Sequence, residues 1–328
     1  MFRRLFWNVE ERRLRSGWRL IFHLMMVMVG TLLLALVLVP VGGLEPSDTF
    51  AAAIGITVAT WVAARLLDRR PLADFGLRID GAWWTDLGFG LLLGVVLQGS
   101  IFALEYALGW VTVTDTLVSN GSGGLAVGIG GALLTFVLVG FYEELLSRGY
   151  HLTNLAEGFN VPILGPTGAV MLAWIVSSAA FGLAHAGNPN ATWVSTTNIS
   201  LAGILLGVGY VLTRSLAIPI GLHISWNFAQ GNIFGFPVSG TDAGATIIEI
   251  EQGGPALWTG GAFGPEAGLL GLVGMGVGIA ATLMWVRLRY SALRIDTSIA
   301  VYATSSTDAT PDSASENLQG EIPEGALD

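Results

Sequence analysis

Eight apolar runs punctuate this chain: roughly Trp18 to Val39, Phe50 to Leu67, Leu87 to Leu108, Leu125 to Leu146, Thr167 to Leu183, Ile199 to Leu212, Pro219 to Phe234 and Ala267 to Val286. A helix needs about 20 mostly apolar residues to cross a bilayer, and most of these runs approach that length. The sixth and seventh are short, which leaves their boundaries open. Periodicity does not sharpen them, because a buried helix is apolar all round. The expectation is an all-α, polytopic membrane protein with about eight transmembrane helices.

Composition agrees. Only 12% of the 328 residues are charged and 52% are hydrophobic, with mean hydropathy +0.65. Soluble domains carry about 25% charged residues. The 45 glycines suit helices that approach closely in a membrane. A soluble enzyme, a disordered chain and a nucleic-acid binder, which would show a basic excess, are all excluded; the net charge is −9. There is no cysteine and no lysine, so all 15 basic residues are arginine.

The arginines test the span count. Arg3, Arg4, Arg12, Arg13, Arg15 and Arg19 precede or open the first run; Arg65, Arg69, Arg70 and Arg78 lie at or between the second and third. Arg148 follows the fourth run, Arg214 the sixth, and Arg287, Arg289 and Arg294 the eighth. With eight spans all fall on one side, which the positive-inside rule makes cytoplasmic, so both termini are expected there, in a protein integral to the plasma membrane.

The chain then divides as follows. Residues 1–17 form a basic cytoplasmic or interfacial segment, read as a topogenic charge cluster rather than an amphipathic surface helix. Residues 18–124 carry helices one to three, and 125–231 a core of helices four to seven. An outer loop occupies 232–264, helix eight 265–294, and an acidic, disordered cytoplasmic tail 295–328. The small-residue pairs Gly90/Gly94, Gly203/Gly207 and Gly274/Gly278 read as helix-packing signals.

An ionisable side chain in a bilayer costs about 3 kcal/mol or more on insertion scales, so each is a functional hypothesis. Glu143, Glu144 and Arg148 close the fourth run in FYEELLSRGY; His185 ends the fifth in FGLAH; His223 lies in GLHISWN with Asn227 four residues on. Adjacent Glu143 and Glu144 point about 100° apart on a helix. Glu144 and Arg148 share a face in the favourable order, which leaves Glu143 to face something else. Taken alone, this motif is equally a structural cluster at a helix end. Glu105 stays open between facing the same cavity and bonding a neighbouring helix, and His23 and His151 read as interfacial.

The turn signal Pro162-x-x-Gly165-Pro166 sits midway between Glu143 and His185. A reversal there returns the two to similar depth, and His223 enters its span a turn or two after Arg214. One carboxylate, two imidazoles and a carboxamide then converge as the parts of a hydrolytic site: a desolvated glutamate base, a histidine beside the water, and a second histidine with the asparagine for the oxyanion. Glu143, His185 and His223 would also make a His₂Glu set with an open position, which suits zinc.

Glu-Glu-x-x-x-Arg at 143–148, Phe-x-x-x-His at 181–185 and His-x-x-x-Asn at 223–227, in that order on separate helices, resemble the type II CAAX prenyl endopeptidase and bacteriocin-processing (CPBP or Abi) family of intramembrane proteases. RPLADFGLR at 70–78 looks like prokaryotic members. The resemblance implies a helical bundle with an intramembrane cavity opening to the cytosol, Glu143 as water-activating base with His185 its partner, His223 and Asn227 as oxyanion stabilisers, and Glu144 with Arg148 as a structural pair. It also implies a lipidated peptide or membrane protein as substrate and, although members are often labelled metalloproteases, no obligatory metal. Two other readings compete: a catalytically silent scaffold or immunity protein, and a proton- or ion-coupled transporter, which would show broken helices and repeat symmetry.

Overall fold

The computed structural model describes residues 5–42, 44–119, 121 and 123–302, without the side chains of 39 and 41–47. Its long helices are α1 (Ser16–Gly42), α2 (Leu44–Ala63), α3 (Gly81–Ala107) and α4 (Gly124–Glu144). Then come the short α5 (Thr153–Phe159), α6 (Gly165–Ala184), α7 (Trp193–Thr213), α8 (Ala217–Phe228) and α9 (Leu269–Tyr290). Among the described residues, seven helical stretches are long and apolar enough to cross a membrane. The seventh sequence run differs: α8 has only 12 residues, extended by a π-helical turn over Ala229–Ile233. Every residue from Ala217 to Trp226 is buried, so protein rather than lipid surrounds this helix and a full membrane-length helix is not required of it.

Local chemistry sets the helix ends. Asp80 accepts a hydrogen bond from the Trp83 amide (2.9 Å) and starts α3, while Thr192 and Ser195 form a reciprocal cap at the start of α7. Helix α4 does not stop at Glu144. It widens into a π-helical stretch, Leu145–Leu152, and runs on through α5, a continuous helix of 36 residues. At 1.5 Å per residue that is about 54 Å, well beyond a hydrocarbon core of about 30 Å. The chain reverses after Phe159, as the proline–glycine signal foretells, and Pro166 opens α6.

Small residues let the helices close. A Cβ on Gly90 would lie 2.5 Å from the Ile218 carbonyl oxygen, one on Gly94 2.6 Å from the Trp226 amide, and one on Gly221 2.4 Å from the Leu87 carbonyl oxygen. Helices α3 and α8 therefore touch backbone to backbone, and the Ser225 hydroxyl donates across the seam to the Gly90 carbonyl (3.3 Å). Gly203 does the same for α7 against Ser178 of α6.

The termini depart from the sequence reading. The basic N-terminal segment is a hairpin, β1 (Trp7–Asn8) paired antiparallel with β2 (Arg13–Leu14), and it buries Arg13 to 1% exposure. Arg13 and Arg19 both donate to Glu157 (2.8 and 2.7 Å), Arg19 and Arg70 reach Asp68 and Glu157 respectively at 2.5 Å, and Tyr150 donates to Asp68 (2.6 Å). The start of the expected tail is ordered: residues 297–300 form a helical turn that buries Ile299 and Ala300, and the Tyr302 ring lies 3.5 Å from the Arg13 guanidinium. The rest of the tail, 303–328, lies outside the described residues.

Two segments between the long helices add a small sheet to the all-α bundle. Val111–Ser119 (β3) pairs antiparallel with Ala245–Gln252 (β4). Both segments alternate β-branched with polar residues, a strand period that the surrounding apolar runs obscured. Glu105 belongs to this region: its carboxylate accepts from Gln252 (2.8 Å) and ties α3 to β4.

Candidate active site

Glu143 and Glu144 occupy the last turn of α4, where regular helix gives way to the π-helical stretch. Such insertions often mark functional sites, because the extra residue re-aims the side chains around it. Arg148 donates to Glu144 Oε1 (2.9 Å) with both side chains buried, and its second terminal nitrogen donates to the Gly203 carbonyl (3.1 Å). The pairing expected from spacing is present. Glu144 does more, however: the same oxygen lies 2.8 Å from His223 Nδ1. A carboxylate only accepts, so His223 carries its proton on Nδ1 toward Glu144 and turns Nε2 toward Glu143, whose Oε2 is 3.9 Å away. Glu144 is thus an orienting residue for His223 as well as the partner of Arg148.

His185 caps the C-terminal end of α6. Its Nδ1 lies 2.8 Å from the Phe181 carbonyl oxygen, so that nitrogen also holds its proton and Nε2 is the free acceptor. The phenylalanine of Phe-x-x-x-His has its own part. The Phe181 ring packs under the Arg148 guanidinium at 4.3 Å, beside His185 at 4.8 Å and edge-on to His223 at 6.0 Å. One ring spaces three polar groups from three helices.

A cavity of about 760 Å³ brings the four expected site residues, Glu143, His185, His223 and Asn227, onto one wall-to-wall space. Its sides are mostly apolar, from Leu24 of α1, Ile56 of α2, Phe136 and Val139 of α4, Leu205 of α7 and Met275 of α9. Above Glu143, α4 packs on α2 and α8 rather than on α6, so the cavity lies between two groups of helices. Glu143 is partly exposed there (20%), and its Oε2 has no protein hydrogen-bond partner.

His23 and His151 have partners within the protein. His23 is fully buried, with Nε2 3.0 Å from the Thr60 hydroxyl and Nδ1 3.3 Å from His151, which itself lines the cavity. Glu105 lies apart, on the β4 side. As for zinc, no three His, Asp or Glu side chains are grouped to hold a metal among the described residues. Glu143, His185 and His223 share a cavity but not a coordination geometry, and His223 Nδ1 is committed to Glu144.

Comparison with known proteins gives a family match. Residues 125–229 fit the family described as "Type II CAAX prenyl endopeptidase Rce1-like". No curated protein and no solved structure matches the chain. The matched segment runs from the first turn of α4 through α8 and contains all six motif residues, Glu143, Glu144, Arg148, His185, His223 and Asn227. The helical core of this membrane protein, residues 125–229, is thus similar to the Rce1-like type II CAAX prenyl endopeptidases, the family that its three motifs resemble.

Proposed function

We propose that this protein is an intramembrane endopeptidase that hydrolyses a peptide bond of a membrane-associated substrate with a glutamate-activated water. The observation that carries the reading is the convergence of Glu143, His185, His223 and Asn227 on one apolar-walled cavity, with His223 held by Glu144. Glu143 takes a proton from water as the oxygen adds to the scissile carbonyl carbon. In this step His223 acts as an imidazolium, its Nδ1–H held by Glu144, so that its Nε2–H and the Asn227 amide donate to the resulting oxyanion. His185 Nε2 accepts from the attacking water and orients it. The carbon–nitrogen bond then breaks as the proton held by Glu143 passes to the leaving amine, so atoms and charge balance. No step is routed through a metal.

The walls suit a substrate that brings its own apolar chain, either a prenyl or acyl group or a transmembrane segment. The one-sided arginines, Arg13, Arg19 and Arg70 among them, support a cytoplasmic position for both termini in a plasma-membrane protein.

The test is cleavage of a quenched-fluorescent prenylated peptide by purified protein in detergent, beside the unprenylated peptide. Glu143→Gln is expected to reduce turnover by at least about a thousandfold while leaving the folded yield unchanged, as for loss of an essential base. Wild-type cleavage is expected to survive a strong zinc chelator. Equal activity of wild type and Glu143→Gln sinks the assignment; activity lost with chelator and restored by zinc revives a metal mechanism.

A further inference from the structure

The cavity has another buried carboxylate that this chemistry leaves idle. Glu266 sits on the tight turn Pro265–Ala267, just before α9, and is 2% exposed. It lines the same cavity as His185 and Asn227. Its Oε1 accepts from the Ser239 amide (2.5 Å) and the Ser239 hydroxyl (2.8 Å), and its Oε2 accepts from the Gln230 amide group. Three donors converge on one carboxylate and none is a cation.

An ionised carboxylate is purely an acceptor, which is what three convergent donors require. Burying one without a counter-ion is costly, and burial pushes the Glu266 carboxyl above the ordinary glutamate range, while Ser239, Gln230 and His185 act the other way. The compensation lies in what the group holds together. Gln230 follows Asn227 by three residues, and its own carbonyl accepts from Gln98 of α3 (2.9 Å). The Ser239 carbonyl accepts from Asn188, three residues after His185 (3.2 Å).

The backbone is shaped for this junction. Gly264 has φ +109°, and a Cβ there would lie 2.2 Å from the Pro237 carbonyl oxygen; one on Gly240 (φ +85°) would lie 1.8 Å from the Pro189 carbonyl oxygen. Only glycine permits both the conformation and the approach.

We infer that Glu266 is a positioning residue of the hydrolytic site. It clamps the turn that follows Asn227 to the loop that follows His185, and so fixes the spacing between the oxyanion donors on α8 and the histidine at the end of α6. The inference rests on the peptidase reading. A slack of about 1 Å in such a constellation costs on the order of a hundredfold in rate.

The experiment measures kcat and KM on the same prenylated peptide for wild type, Glu266→Gln, Ser239→Ala and Glu143→Gln, per mole of monodisperse folded protein. Glutamine keeps the shape but puts an amide donor against one of the three existing donors. Glu266→Gln is expected to lower kcat about ten- to a hundredfold with KM changed less than about threefold. Ser239→Ala, which removes one donor of the three, lowers kcat in the same sense by less. A kcat for Glu266→Gln within about twofold of wild type overturns the inference, as does a loss accounted for by unfolded protein alone. If Glu266→Gln does not fold, Ser239→Ala decides: wild-type kcat overturns the clamp, and reduced kcat at constant KM upholds it. The Glu143→Gln control separates the failures. Turnover that Glu143→Gln does not reduce removes the peptidase reading and the clamp with it; Glu143-dependent turnover that is indifferent to Glu266 removes the clamp alone.

Discussion

Glu144 shows how much one carboxylate can carry. Its Oε1 accepts from Arg148 and from His223, while Arg148 is further fixed by the Gly203 carbonyl and the Phe181 ring. Glutamine at 144 keeps the volume and one acceptor oxygen for the two donors, but leaves the buried guanidinium without its counter-charge. Residues that orient an active histidine cost about ten- to a hundredfold when altered. Glu144→Gln is therefore expected to lower kcat by that factor with little change in KM, measured on the prenylated peptide. A pure loss of folded protein, with normal kcat in the survivors, would reduce Glu144 to the structural partner of Arg148 that its i,i+4 spacing suggests.

At the scale of elements, two features place the site. One is that two of the three motif-bearing helices, α4 and α8, change their winding just past their functional residues, into the π-helical stretches Leu145–Leu152 and Ala229–Ile233. The other is the backbone contact of α3 with α8, which fixes the helix carrying His223. A Cβ on Gly94 would meet the Ser225 hydroxyl and the Trp226 amide, and the amide cannot retreat without moving α8. Gly94→Ala is expected to cost about 1–3 kcal/mol, the usual range for overpacking. Gly278→Ala is expected to cost less, since its nearest neighbours at 3.0 Å are the ends of Leu205 and Leu97 side chains, which can turn aside. Thermal melting of both variants in the same detergent checks the order.

At the scale of the whole molecule, the N-terminal hairpin and the segment around Tyr302 meet on one ionic cluster. Arg13, Arg19 and Arg70 share Asp68 and Glu157, and Tyr302 covers Arg13 and Arg70. Hairpin, helix ends and the segment around Tyr302 are joined at a cluster that shares no residue with the cavity lining. Tyr302→Ala is expected to lower stability by about 0.5–2 kcal/mol, the range of cation–π contacts, with kcat unchanged. Unfolding in mixed micelles reads the first, and the peptide assay the second. A loss of activity without a loss of stability would contradict this arrangement.

The apolar runs and the three motifs determined the helical membrane bundle and the four motif residues that share its cavity, though the seventh expected span is a short buried helix, because lipid burial and i,i+4 spacing are local properties that a sequence displays directly. Gly90 and Gly94 were visible as small residues, though not the helix they face. What only the tertiary structure decided is everything that joins distant segments: Glu144 on His223, 79 residues away; Glu105 on Gln252; β3 on β4; the buried N-terminal hairpin; and Glu266 between Ser239 and Gln230. Glu266 stands in a glycine-rich loop with no periodicity and no motif. Its importance arises from three hydrogen-bond donors brought to it by the fold, and hydrogen bonds between remote segments leave no period in the chain that makes them.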